Sequence, residues 1–325
     1  MKIQIVELEK IVLDRLLTVY SEDDARRIAE VVLFGELSGK VSHGLLRLLP
    51  ENFGTFTDTI EAKPEIIHKT SVSSLINGHG NVGMLIGSLA MDEVIRITKE
   101  HSIGIVGTKN SINTSGSLTY YCEQIAKENL IGIVMSHAVE MIAPFSSKKS
   151  LFGTNPIAFG IPSEKQPIIF DMSTSAITFG SIASYKAQRK KLPDNVALDA
   201  EGNVTNDPAQ ALSGATLAFD NSYKGSGLAM MVEILAGLWT GAGYATKNKD
   251  EKWGNLFVAF SPDLLSDVET LKEKSQDLIT VLKTTETRDG QPIRIPGQNT
   301  LSMRDAMLQK GEIEIDDVLL QKIKE

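Results

Sequence analysis

The chain has 325 residues, 42% of them hydrophobic and 23% charged, which is the make-up of a folded globular protein long enough for two lobes. Its net charge of −8, with no basic run and little aromatic clustering, argues against nucleic acid or an anionic membrane as partner. A small anionic substrate stays open, because one or two well-placed cations hold a carboxylate.

In chain order, Met1 to Ile5 leads within a few residues into a charged amphipathic segment. No long apolar stretch with a small-residue cleavage site follows, so the expected location is cytoplasmic. Leu8, Ile11, Val12, Leu16 and Val19, then Ala25, Ile28, Ala29 and Val32, repeat at helical spacing and predict two amphipathic helices. Ser21 with Asp24 three residues on marks the start of the second, and Gly39 its stop. A third apolar stretch follows Ser42-His43-Gly44 and ends near Pro50.

From about residue 72 the pattern turns to strands alternating with helices. Strands are expected over 71–76, 103–106, 131–135, 157–161 and 168–170, with a helix over 84–98, which is the pattern of an α/β core. Cys122, the only cysteine, excludes an internal disulfide and a cysteine zinc cluster. Residues 184–226 read as polar and irregular, with Pro193, Gly202, Pro208 and Gly214 marking turns. A very apolar helix is expected over 227–238, and its lack of a polar face points to deep burial or an interface. Glu233 interrupts the apolar run 225–243, so no segment reads as a membrane span. A strand over 256–260, a helix through Val268, Leu271, Leu278, Val281 and Leu282, and a charged helical tail from Ser302 complete the chain.

Gly78-His79-Gly80-Asn81-Val82-Gly83 fits G-x-G-x-x-G after a strand and before a helix. In a dinucleotide-binding unit such glycines bring backbone amides to a pyrophosphate, and an acid at the end of the next strand binds the ribose. Here that strand runs into Gly107-Thr108-Lys109 with no acid, so the loop is read as a structural turn. Lys109 facing a 2′-phosphate is the alternative.

Ser42-His43-Gly44-Leu45-Leu46-Arg47 carries more chemistry. His43 and Arg47 are four apart, so a helical stretch puts them on one face. Imidazole supplies the proton that a carbonyl oxygen requires when hydride reaches its carbon, and the guanidinium fork matches a carboxylate. Together they are the minimum set for reducing a 2-oxo acid; the alternative is a capping Ser-His turn followed by a surface arginine. The histidines His43, His68, His79, His101 and His137 form no short metal-ligand spacing, so no metal site is expected. His68 and His101 sit among charges and read as solvated, while His137 follows a strand, where ligands meet a sheet. In Asn221-Ser222-Tyr223-Lys224-Gly225-Ser226-Gly227, backbone amides at a helix N-terminus beside a lysine suit a phosphate.

Taken together, several segments resemble, in order and spacing, the malate/L-lactate dehydrogenase family of the non-Rossmann type. They are Ser42-His43-Gly44 with Arg47, Phe152-Gly153-Thr154-Asn155-Pro156, Asp171-Met172-Ser173-Thr174-Ser175, Tyr223-Lys224-Gly225-Ser226-Gly227 and Ile293-Arg294-Ile295-Pro296-Gly297-Gln298. That family includes ureidoglycolate, sulfolactate and archaeal malate dehydrogenases and diketogulonate reductase, and the closing third is most similar to the last. The resemblance runs nearly end to end. It implies an α/β fold with a central mostly parallel or mixed sheet and helical N- and C-terminal segments. Residues 1–70 with 300–325 are expected as a helical domain, and 71–299 as an α/β domain that binds a nicotinamide nucleotide. It also implies His43 as proton donor, Arg47 as carboxylate clamp and Ser42 in the polar shell around the substrate. Cofactor contacts, to NAD or NADP, fall on Ile169, Phe170, Asp171, Met172 and Ser173, on Tyr223 and Lys224, and on Gly297, Gln298 and Asn299. Family members are typically homodimers.

Two departures stand out. Many members carry a second histidine before the helix that begins here near Ser117, and this chain has Asn113 or Thr114 at that place, depending on the direction of alignment. Either side chain hydrogen-bonds, but neither carries a proton at neutral pH as imidazole does. His137, on a neighbouring strand end, is the candidate to compensate. Ser146-Ser147 also stands where the family usually has a glycine-containing turn. The expected function is therefore NAD(P)H-dependent interconversion of a 2-oxo acid and its 2-hydroxy acid. The rivals are a cyclic 2-imino acid reductase and a catalytically silent nucleotide-binding homologue.

Overall fold

The computed structural model describes residues 1–49, 55, 60, 62–244 and 252–325, so the expected end of the third apolar stretch at Pro50 lies outside the described residues. A short strand, β1 (Lys2–Gln4), opens the chain. Ile5, Leu8, Val12 and Leu16 share one buried face, and covering that stripe is what stabilises α1 (Ile5–Leu16). Val19, expected on the same face, lies beyond the helix end and is exposed. Ser21 caps α2 (Glu22–Leu37): its Oγ accepts from Asp24 N at 3.4 Å. Gly39, with φ of 73°, supplies the left-handed turn that ends this segment. Two 3₁₀ turns follow, Val41–His43 and Leu45–Leu48, in place of the single helical stretch expected there. Gly44 breaks the run because the chain presses against α2 at this point; a Cβ on Gly44 would lie 2.2 Å from Glu36 Oε2.

The next elements are a hairpin of β2 (Glu65–Thr70) and β3 (Ser73–Asn77), then α3 (Gly83–His101), β4 (Ile103–Lys109), α4 (Leu118–Lys127), β5 (Ile131–Ser136), β6 (Ile157–Ile161) and β7 (Ile168–Met172). The stretch expected to be irregular holds α5 (Phe179–Ala187) and a small sheet. That sheet is built from β8 (Ala197–Leu198), β9 (Val204–Thr205) and, after α6 (Pro208–Ala211), β10 (Ala215–Thr216). The apolar helix α7 (Tyr223–Val232) widens into a π-helical segment over Glu233–Leu238. Then come β11 (Asn255–Phe260), α8 (Val268–Thr284), α9 (Gln298–Lys310), β12 (Glu312–Glu314) and α10 (Asp317–Lys324). Gly311, at φ 74°, splits the expected tail helix in two.

The main sheet has the order β2-β3-β4-β11-β5-β6-β7 and is mixed. Only β3 and β4 pair in parallel, joined by the α3 crossover, so the sheet is not mostly parallel. The reason is β11, which returns from far along the chain and lies antiparallel to both β4 and β5. Following the pairings, β3, β4, β5 and β7 all run one way, and their carboxyl ends at Asn77, Lys109, Ser136 and Met172 share an edge.

Helix α4 lies directly on β5 and β6, and glycines permit the approach: a Cβ at Gly160 would fall 2.3 Å from Cys122 O. On the opposite face Val232 and Ala236 pack on Ile157 and Leu256. Strands β1 and β12 pair antiparallel, and Leu8, Val12, Leu301 and Leu320 share one core with the sheet residues Ile76, Val106 and Val134. Each such side chain contributes about 1.5–3 kcal/mol by leaving water. The division expected after residue 70 falls inside the β2–β3 hairpin, so residues 65–70 belong with the sheet.

Candidate active site

The turn after α2 brings Ser42, His43 and Arg47 into contact. Ser42 Oγ lies 3.0 Å from His43 Nδ1, close enough for a hydrogen bond in either direction. Arg47 Nε donates to Ser42 O at 2.6 Å, which ties the guanidinium to the same turn despite the break at Gly44. Glu36 Oε2 accepts from Leu45 N at 2.9 Å and holds the second 3₁₀ turn; burial raises the Glu36 carboxyl above its ordinary range. Gly180, in the first turn of α5, closes over this segment, with a Cβ there falling 3.2 Å from Ser42 Cβ.

Asp171, expected among the cofactor contacts, turns its carboxylate toward this cluster. Its Oδ2 accepts from Lys40 Nζ at 2.6 Å, from Thr119 Oγ1 at 2.6 Å and from Thr119 N at 3.2 Å, and Ser117 Oγ lies 3.4 Å away. Lys40 Nζ also donates to Ser117 Oγ at 2.9 Å and to Thr119 Oγ1 at 2.7 Å. The strand β7, the start of α4 and the turn before His43 are thus joined at one carboxylate.

The electrostatics follow from these neighbours. Burial, then the charges of Arg47 and Lys40, push the His43 pKa down to about 4, while Asp171 pulls the other way. The imidazole is neutral at pH 7. Burial brings the Arg47 guanidinium down to about 10, still charged at neutral pH. Asp171 stays below the ordinary carboxylate range: burial alone would raise it, but Lys40, Thr119 and His43 together outweigh that.

Sequence reasoning missed Lys40, Ser117 and Thr119. A lysine one residue after Gly39 carries no periodicity or motif, and only the fold reveals what it reaches.

The other expected residues divide by location. Ile169 is buried, and its N–H faces Pro296 O at 3.4 Å. Gly297, at φ 78°, lets the next turn lie against β7; a Cβ on it would fall 2.6 Å from Ile169 O. Gln298 and Asn299 start α9 beside it. Phe170 is exposed and stacks on Phe159 with ring centroids 6.4 Å apart. Met172 packs against the core under α7, and Ser173 Oγ donates to Thr154 O at 3.0 Å. Tyr223 and Lys224 are brought toward the end of β7 by Phe219 N, which donates to Thr174 O at 2.9 Å.

The amides expected to receive a phosphate before α7 are already partnered. Asp220 Oδ1 accepts from Ser222 N and Gly225 N, both at 3.1 Å, and Ser222 Oγ accepts from Lys224 N at 3.0 Å. Three of the amides at this helix start are thus engaged within the turn itself. Phe170, within β7, exposes its ring, and the Gly297-Gln298 turn lies against the neighbouring Ile169. Beside Gln298 a groove of about 360 Å³ carries Lys165, Lys283, Thr280 and Thr284, and none of the described residues lining it is acidic.

The G-x-G-x-x-G loop is a structural turn. Gly78 N donates to Lys109 O at 2.8 Å, Gly80 N to Asn110 O at 2.9 Å and Gly83 N to Ile112 O at 2.8 Å, so its glycine amides serve the neighbouring strand end. Thr114 Oγ1 accepts from Gly116 N at 3.0 Å, and Asn113 sits at φ 58°. His137 is buried with its Nε2 3.3 Å from Glu233 Oε1, and Glu233 Oε2 also accepts from Asn155 Nδ2 at 2.7 Å. His137 is thus partnered by Glu233 on the α7 side of the sheet, whereas His43 pairs with Ser42 on the turn after α2.

Comparison with known proteins bears on the family and the fold. The family model for malate/L-lactate dehydrogenase matches residues 3–324. The L-sulfolactate dehydrogenase of Methanocaldococcus jannaschii is 33% identical over 313 residues, covering 94% of this chain and 90% of that protein. The Delta(1)-pyrroline-2-carboxylate reductase 2 of Burkholderia multivorans is 34% identical over 261 residues, 76% of each chain. Among solved structures, the Methanocaldococcus jannaschii sulfolactate dehydrogenase superposes with a TM-score of 0.87 at 31% identity, covering 99% of this chain and 96% of that one. Malate dehydrogenase from Entamoeba histolytica gives 0.90 at 25% identity, covering 100% and 96%. The family match and these relatives define an oxidoreductase of the dehydrogenase and reductase type. The chain belongs to the malate/L-lactate dehydrogenase family.

Proposed function

We propose that the chain interconverts a small 2-oxo acid and its 2-hydroxy acid with NAD(H) or NADP(H), acting on acids of the kind named in its malate and sulfolactate dehydrogenase relatives. The observation that carries this reading is the meeting of His43, Ser42, Arg47 and Asp171 in one partly buried cluster. The nicotinamide, when bound, supplies or accepts the hydride. Ile169 to Ser173, Tyr223, Lys224 and Gly297 to Asn299 are proposed to hold it.

In the oxidation direction Nδ1–H of His43 donates to Ser42 Oγ, which leaves the Nε2 lone pair to take the hydroxyl proton. In reduction the doubly protonated ring returns that proton from Nε2. Arg47 binds the substrate carboxylate, and the added negative charge offsets its own depressing influence on His43. Substrate binding therefore moves the imidazole toward the range in which it can donate.

The groove beside Gln298 supports NADP(H) as the preferred form. A 2′-phosphate bound there would face two lysines, whereas a free ribose diol would find no carboxylate among the described lining residues. The reading extends to a cytoplasmic homodimer. Met230, Met231, Ile234, Leu238 and Trp239 form an exposed apolar run on α7 and its π-helical extension, over a sheet face that is only partly covered. A second copy is its expected occupant.

A second reading, reduction of a cyclic 2-imino acid, is favoured by the absence of an imidazole at Asn113 and Thr114. A ketimine arrives protonated, so it needs less from the protein. Loss of reduced nicotinamide absorbance, followed for NADH and NADPH against a panel of 2-oxo and cyclic imino acids, tests both. Wild-type turnover with His43→Ala reduced about 10²–10⁴-fold is the expected result. Nucleotide binding without turnover on any substrate would replace both readings with that of a silent homologue.

A further inference from the structure

The catalytic cluster contains a cation that the proposed reaction has not used. Lys40 Nζ makes three hydrogen bonds of 2.6–2.9 Å, to Asp171 Oδ2, Ser117 Oγ and Thr119 Oγ1. These partners come from β7 and from the start of α4, and Lys40 itself stands three residues before His43. Its ammonium thus joins the separate pieces of chain that frame the imidazole. The segment before α4, from Asn110 to Gly116, contributes no ionisable side chain, and Lys40 brings a cation to Ser117 and Thr119 at this end of α4.

Resting on the dehydrogenase reading, we propose that Lys40 is a positioning residue: it clamps Asp171 to the first turn of α4, shares the carboxylate's charge, and so sets how readily His43 gains and loses its proton. The argument is one of competing charges. The charged groups that face His43 are Lys40 and Arg47 on its own turn and Asp171 on β7, with Glu36 of α2 against the backbone of the same turn. Asp171 acting alone would favour the imidazolium. Its pairing with Lys40 at 2.6 Å weakens that influence at the source, and Lys40 adds a direct repulsion.

Removing the lysine charge releases both effects in the same direction, so the His43 pKa rises. Removing the carboxylate charge lowers it. Removing both brings it back toward the wild-type value.

The test is the titration of His43 by NMR in the whole protein, assigned by its loss in His43→Ala, for Lys40→Gln, Lys40→Met, Lys40→Arg, Asp171→Asn and the Lys40→Gln/Asp171→Asn double variant. The acid limb of kcat/KM is measured on the same samples. Lys40→Gln and Lys40→Met are expected to raise the His43 pKa by about one unit or more. Lys40→Arg should stay near wild type, Asp171→Asn should shift downward, and the double variant should lie between the single ones. Lys40→Gln retains a hydrogen bond to Asp171 without the charge, and so separates charge from mere packing if Lys40→Met unfolds. An unchanged His43 pKa in folded Lys40→Gln, or an equal loss in Lys40→Arg and Lys40→Gln, would overturn the proposal. A protein that turns over no 2-oxo or imino acid still yields the titration, so failure of the dehydrogenase reading is told apart from failure of this one.

Discussion

Between His43 and its neighbours, two cations oppose one carboxylate, and the substrate's own carboxylate alters that balance on arrival. The pH dependence should therefore differ between the free enzyme and its complex. For oxidation of a hydroxy acid the neutral imidazole is the working form, so kcat/KM should hold as the pH falls and drop only near pH 4. The acid limb of kcat should lie higher, because a bound carboxylate at Arg47 raises the same group. In Arg47→Met the two limbs should converge while KM rises by about 10–100-fold; rate profiles on both substrate series check this. Residue types made His43 and Arg47 legible in the sequence, since few other side chains exchange a proton near neutrality or fork onto a carboxylate. Lys40 was not legible, because its partners Ser117 and Asp171 lie 77 and 131 positions away. Asp171 was named as a cofactor contact, and its hydrogen bonds to Lys40 and Thr119 were not foreseen.

At the scale of elements, periodicity served well where packing on one face decided the structure. The stripe of α1, the Ser21 cap of α2 and the strands β3 to β7 and β11 follow from local pattern, whereas the edge strand β2 was not expected. It failed over 184–226, where the two-residue strands β8, β9 and β10 are too short to leave an alternating signature. The G-x-G-x-x-G loop is the instructive intermediate case. Its glycines match a nucleotide motif, yet their amides are occupied by the backbone of Lys109 to Ile112. Gly80 has φ of 77°, so Gly80→Ala should cost about 1 kcal/mol of stability in urea denaturation. The KM for the nicotinamide nucleotide should stay within about twofold of wild type, as expected of a turn outside the cofactor site. A large rise in that KM at unchanged stability would restore the loop to a binding role.

At the scale of the whole molecule, the exposed apolar run on α7 and its π-helical extension sets the expected assembly. Trp239 is 62% exposed, and an uncovered indole of that size in line with Met231, Ile234 and Leu238 is unusual for a monomer. Trp239→Glu should shift sedimentation from a dimer toward a monomer, and a wild-type protein that sediments as a monomer would remove the homodimer from the reading. Long-range order was the least legible feature at this scale. Nothing local says that β11 enters the middle of the sheet, because pairing partners separated by more than a hundred residues leave no mark on the intervening pattern.

That central position of β11 has a consequence for how the chain is made. Until Asn255 to Phe260 has emerged from the ribosome, β2-β3-β4 and β5-β6-β7 are two incomplete sheets, each with a bare edge at β4 or β5. Unpaired edges of this kind template aggregation, and synthesis at a few residues per second leaves them open for many seconds. The sheet cannot close before β11 is made, so the yield of folded protein should depend on whatever shields nascent strands during that interval.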